Sequence, residues 1–243
     1  MNENEMTPQA QFEPQFVERT GETLSRYTAR AFLWMAMGLL LTFAISVLGY
    51  YFYLPLYLIA YTGTTGLVVL TVLELIVVIV LSAKLHSLPI GAARALFLVY
   101  AALNGVVFST YFLIFDVVSM VLAFAAAGLY FGVMAAVGYF TKVDFSRIRN
   151  LLFGALIFLV VFGLLSMLIP GLAMFDRIVC MVGIVVFMLY TAYDTQKIKA
   201  YYYGFQGDDA MLAKASIISA LQLYLDFINL FLYLLRFLNK RKN

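Results

Sequence analysis

The stretch LQLYLDFINLFLYLLRF, residues 221–237, sets Gln222, Asp226, Asn229 and Arg236 into an otherwise apolar run. Taken with Ser219 and Tyr233, the polar positions Ser219, Gln222, Asp226, Asn229 and Tyr233 are three, four, three and four residues apart. That spacing lines them along one face of a helix. A charge at the centre of a bilayer costs at least about 2.5–3.5 kcal/mol, so such a stripe must face other helices or a wet cavity. Three residues inside other apolar runs could answer it: Asp194 in FMLYTAYDTQKIKAY, one turn before Lys197; Glu74 in VLELIVVIV; and Asn104, one turn after Tyr100. Asp116 and Asp176 fall at the ends of runs and are expected to be solvated boundary residues.

Two carboxylates brought together in low dielectric cannot both ionise cheaply, and they titrate as a unit sharing a proton. Such a pair is a latch, closed while the proton bridges it and repelled or cation-binding once both groups are ionised. Hard cations such as calcium are held by carboxylate and amide oxygens. Asp194, Asp226, Glu74, Gln222 and Asn229 offer those atoms, with Asp194 and Asp226 as candidate calcium ligands. The bland alternative is that the acids stay protonated and fix helix packing, at about 0.6 kcal/mol per contact.

The elements that position these residues follow from composition. Hydrophobic residues make up 64% of the 243 and charged residues 12%, about half the charged share of soluble proteins. A soluble domain of this size could not hide so much apolar surface, so the chain is an integral membrane protein with the lipid bilayer as its main partner. Seven apolar stretches run over residues 31–54, 59–82, 92–115, 117–140, 151–169, 177–198 and 215–238. Backbone groups in lipid must be paired within the segment, so these are seven transmembrane helices in an all-α fold. Residues 1–22 are polar and mildly acidic and are expected to be a flexible cytoplasmic tail. Residues 23–30 form a juxtamembrane segment, and residues 23–243 a single membrane domain.

Orientation follows from Lys and Arg. Arg19, Arg26, Arg30, Lys84, Arg94, Lys142, Arg147, Arg149, Lys197, Lys199 and Lys214 fall in the tail and alternate loops, whereas the intervening loops carry only Arg177. The amino terminus is therefore expected in the cytoplasm. Arg236, Lys240, Arg241 and Lys242 follow the seventh run and oppose the rule, but the uninterrupted run before them argues for a full span.

The short basic clusters do not suggest nucleic acid, and the single cysteine, Cys180, excludes an intramolecular disulfide. No enzyme chemistry is expected and no resident cofactor. The only histidine is His86, zinc spacing and phosphate loops are missing, and the second acid lies in Leu-Tyr-Leu-Asp instead of the Gly-x-Gly-Asp of an intramembrane aspartyl protease. Tyr201, Tyr202 and Tyr203 read as an interfacial aromatic belt. Gly128 and Gly132 form one G-x-x-x-G, a signal of close helix packing.

YDTQKI at 193–198, followed by LYLDFINLFLYLLRFL at 223–238, resembles the transmembrane Bax inhibitor motif (Bax inhibitor-1-like) family, bacterial-type members most of all. Glu74 in the second helix fits the same pattern. The resemblance extends over the seven-helix region and implies six helices around a central seventh in a bacterial inner membrane. It implies a pH-sensitive calcium leak whose latch is Asp194 with Asp226, exchanging calcium and protons with the solvent. Family members with a known latch place a basic residue after the second-helix acid. Lys84, His86 and Arg94 are the candidate gating bases here, and none aligns securely. A membrane protease is a further partner the resemblance implies. A proton-coupled cation antiporter and a non-transporting regulator are the rival readings.

Overall fold

The computed structural model describes residues 22–84 and 87–238. The helices are α1 (Leu24–Tyr51), α2 (Leu54–Lys84), α3 (Ile90–Tyr111), α4 (Val117–Phe140), α5 (Arg149–Leu168), α6 (Asp176–Gly204) and α7 (Asp209–Leu238). Short 3-10 turns, Phe145–Ile148 and Pro170–Phe175, precede α5 and α6. Among the described residues, six helices, all but α2, count as long and apolar enough to cross a membrane, and many α2 side chains lie outside those residues. The fold is all-α, as expected, and the tail over residues 1–21 lies outside the described residues.

Helix ends differ from the apolar runs where local chemistry extends or interrupts them. α1 takes in the expected juxtamembrane segment because the Thr23 hydroxyl accepts from the Arg26 N–H and caps it. α2 begins before Pro55, since proline is tolerated in a first turn where no intrahelical donor is needed. The expected continuous second helix is broken at Gly63, whose φ of 60° and ψ of −151° are accessible only without a Cβ. What remains before the break is a short apolar helix, Leu54–Gly63. Asp116 sits exposed at the N-cap of α4, accepting from the Ser119 N–H at 2.9 Å and its hydroxyl at 2.6 Å. Those two bonds hold its carboxyl below the usual range.

α7 is the axis of the bundle. α1, α3, α4 and α6 pack directly on it, while α2 leans on α3 and α5 on α6. Two-thirds of its apolar window is buried, against 11% for α5. This arrangement matches the length and polarity of α7, since only a helix shielded on most sides can carry a polar stripe through lipid. Packing is tightest at glycines. A Cβ on Gly138 of α4 would collide with the backbone of Ala192 on α6, and one on Gly183 of α6 would lie 2.6 Å from the Tyr233 ring. Gly128 and Gly132, expected to mediate close packing, instead have nothing within 4 Å of a built Cβ. Their face of α4 points away from the bundle, and the close approach comes from Gly138 two turns on.

Candidate functional site

Asp194 and Asp226 are both buried, at 7% and 4% exposure, where α6 and α7 run antiparallel. α6 brings Asp194 in through its heptad-like run of Val179, Gly183, Val186, Phe187, Thr191 and Asp194, all buried. α7 turns Ser219 and Asp226 inward, with Gln222 and Asn229 half-buried beside them. Tyr233 closes the stripe by stacking on Phe187 of α6 at 5.8 Å. The predicted polar face of α7 is thus one face, and it looks largely at α6.

The two carboxylates lie within electrostatic reach of each other, and Lys197 acts on both. The Lys197 ammonium stands 3.8 Å from the Asp194 carboxylate, with its side chain 26% exposed. The rings of Tyr193 and Tyr201 lie 5.7 and 5.5 Å from it. An ammonium over aromatic faces keeps its charge at lower cost than one in bare hydrocarbon. Asp226 Oδ2 is buried with no hydrogen-bond partner among the described residues. Among the described residues the site therefore holds two acids and one cation, and one acid oxygen has a lone pair to spare.

The other predicted site residues divide. Asn229 spends its amide on the Leu225 carbonyl of its own helix, at 2.8 Å. Asn104 is buried on α3 and donates to the Tyr100 carbonyl at 3.0 Å, within its own helix. Arg94 lies over the Trp34 ring at 5.4 Å. Glu74 and Lys84 belong to α2, but their side chains, and all of His86, lie outside the described residues. Among the described residues the cation that meets the aspartates is Lys197, which sits one turn after Asp194 on the same helix. Among the described residues no three Asp, Glu, His or Cys side chains gather that could hold a metal ion.

At the rims one expectation is corrected and one is extended. Asp176 is partly exposed at the start of α6, as expected of a boundary residue, and it also pairs with Arg236 at the end of α7, with the Cys180 thiol 3.8 Å from its other oxygen. The antiparallel pairing of α6 and α7 brings the two charges to one level. Tyr202 is not a belt residue. It is buried, packs tilted against the Tyr27 ring at 5.7 Å and donates to the Glu22 carbonyl at 2.8 Å, whereas Tyr203 alone of the three is well exposed. α6 runs past its apolar stretch to Gly204, and that extension carries Tyr202 under the start of α1.

Three groups in this region were not legible as site residues. Gln196 bridges α6 to the α4–α5 connection, accepting from Phe145 N–H at 3.0 Å and donating to the Val143 carbonyl at 2.8 Å. Lys199 donates to the Tyr139 carbonyl at the end of α4. Thr195 is buried beside Asp194 with its hydroxyl unpartnered among the described residues. The signal for Gln196 and Lys199 was their place in the same YDTQKI run as Asp194.

The family described as "Inhibitor of apoptosis-promoting Bax1" matches residues 24–243. The Escherichia coli protein described as "Inner membrane protein YbhL" is 39% identical over 222 residues, which cover 90% of this chain and 93% of that one. A Rickettsia prowazekii protein is 34% identical over 91% of this chain and 92% of its own length. One from Deinococcus radiodurans is 34% identical over 92% and 94%. Both are described only as uncharacterized.

Proposed function

Because the chain belongs to the Bax inhibitor-1-like family of membrane proteins, we propose that it is a pH-sensitive cation leak, with calcium as the conducted ion and the Asp194–Asp226 pair as its gate. The observation that carries this reading is the burial of both acids at one level of the α6–α7 seam, with Lys197 the one cation beside them among the described residues. An acid pair kept in the interior of a membrane bundle is expensive, and a purely structural contact would be served by amides or hydroxyls.

In this reading the pair holds a shared proton at low pH and stays closed. As pH rises the proton leaves, the carboxylates repel, and their oxygens become available to a passing cation. Two carboxylates supply fewer than the roughly six to eight oxygens of a closed calcium site, so water would complete the shell and the ion would pass on. The protein sits in the bacterial inner membrane, as the name of the Escherichia coli relative says of that protein. Its amino terminus faces the cytoplasm, at the end where α1 and α3 start and the basic ends of α4 and α6 lie.

Calcium flux into proteoliposomes across about pH 5 to 8 tests the gate. Wild type should leak more as pH rises. Asp194→Asn and Asp226→Asn should each abolish that pH response, since an amide neither shares nor releases the proton. A pH response retained in both variants would reduce the acids to packing contacts. A regulator acting through a membrane protease or another partner would then be the better reading. Saturable exchange of protons for cations in place of a leak would favour an antiporter.

A further inference from the structure

α1 and α4 leave a cleft between them. α4 is pulled toward α6, where Gly138 meets the Ala192 backbone and Lys199 closes on the Tyr139 carbonyl. α1 is held instead against α3 and α7. The resulting cavity of about 370 Å³ is lined by Ser25, Thr28 and Phe32 of α1, Ala136 and Tyr139 of α4, and Thr195 of α6. Phe32, which lines the cavity, also meets the Phe131 ring of α4 edge-on at 6.3 Å.

Two of the lining groups set the chemistry of this space. Thr28 and Thr195 are 9% and 1% exposed, and neither hydroxyl has a hydrogen-bond partner among the described residues. Threonines in membrane helices normally return their proton to a carbonyl of their own helix, as Thr191 does one turn earlier by donating to Phe187 O at 2.8 Å. Thr28 and Thr195 do not. A buried hydroxyl without a partner loses about 1–3 kcal/mol. Ala29, Phe32, Ala135 and Ala136 make much of the wall apolar, but Ser25, Thr28, Tyr139 and Thr195 give water in a cavity of this size polar partners. Two further buried hydroxyls without a hydrogen-bond partner among the described residues, Tyr27 of α1 and Ser219 of α7, lie along the same α1–α7 seam. Ser219, Gln222 and Asp226 then follow on one face at spacings of three and four residues.

We propose that the α1–α4–α6 cleft is a water-filled vestibule that joins the face bearing the amino terminus to the Asp194–Asp226 pair, with Thr195 at its inner threshold. The sequence neighbour of Thr195 is Asp194 itself, so water at this threshold stands next to the first carboxylate. The vestibule enters from the α4 side, apart from the slot that Lys197 fills between Tyr193 and Tyr201. The proposal rests on the gate reading only for its effect on flux. Hydration of the cleft is tested separately.

The test is thiol accessibility in a Cys180→Ser background, using the cationic reagent trimethylammonioethyl methanethiosulfonate on protein in membranes. Thr28→Cys, Ala136→Cys and Thr195→Cys should all be modified, more slowly toward the interior, and Thr191→Cys should be spared. Modification of Thr195→Cys by a lipid-soluble maleimide but not by the cationic reagent would overturn the proposal, because the cleft would then hold acyl chains. So would a Thr195→Cys as inert to both reagents as Thr191→Cys. The near-isosteric Thr195→Val gives a second readout that does not depend on cysteine placement. It should lower the leak several-fold while leaving its pH dependence in place, a pattern opposite to that of Asp194→Asn. If wild type shows no leak, the gate reading fails and the thiol result still decides the vestibule.

Discussion

The Thr42 hydroxyl, buried in α1, lies 2.8 Å from the Ala101 carbonyl of α3 and 2.7 Å from the Tyr224 hydroxyl of α7. Its own-helix carbonyl, Gly38, is 3.0 Å away. A hydroxyl has one proton to give, so Thr42 donates to a carbonyl and accepts from Tyr224. Rings pack around the contact: Phe97 and Tyr100 each stand 5.8 Å from Tyr224, edge-on. This single atom ties three helices together. Thr42→Val keeps the shape and removes the contacts, so it should destabilise the bundle by about 0.6–1.7 kcal/mol in a denaturation series. Asp194 and Asp226 could be singled out beforehand because a carboxylate in an apolar run has no cheap local solution. Thr42, Thr28 and Thr195 could not. A threonine can satisfy itself on its own backbone, and only the neighbouring helices reveal which ones do. Lys197 stood in plain view beside Asp194, but its approach to Asp226 depends on the α6–α7 pairing.

At the scale of the helix, α4 shows how spacing alone misdirects. Gly128 and Gly132 satisfy a packing motif, yet they look away from the bundle, while Gly138 brings the backbones of α4 and α6 together beside Asp194. Gly138→Ala should push the two helices apart and cost about 1–3 kcal/mol, since the colliding partner is backbone and cannot swing aside. Gly132→Ala should stay within about 0.5 kcal/mol of wild type. Thermal unfolding in one detergent compares the two directly, and equal losses would mean that the α4–α6 approach is not what Gly138 serves. Helix number and order were readable from the apolar runs. The ends were not, because Thr23, Pro55 and the run through Tyr202 extend helices past their greasy stretches, and the φ of Gly63 interrupts one from within.

For the molecule as a whole, α7 is an unbroken span of 30 residues that starts beside the first turns of α1 and ends beside the start of α6. Its two ends therefore lie at opposite ends of the bundle, the geometry of a helix that crosses once. Topology reporters fused at Met1 and at Asn243 should report opposite compartments. Reporters that agree would require α7 to re-enter, which an uninterrupted helix with Leu221, Leu223, Leu230 and Leu235 wholly enclosed does not permit.

The far ends of α6 and α7 are joined three times over. Asp176 pairs with Arg236, Arg177 lies over the Phe237 ring at 5.3 Å, and Gly183 admits the Tyr233 ring against its backbone. The near ends are joined by the chain itself, through the short connection between Gly204 and Asp209, where the Asp208 N–H donates to the Phe205 carbonyl. Two rods closed at both ends behave as a bow. A change of charge between Asp194 and Asp226, which lie between the fastened ends, is taken up as bending at the waist while both ends keep their register.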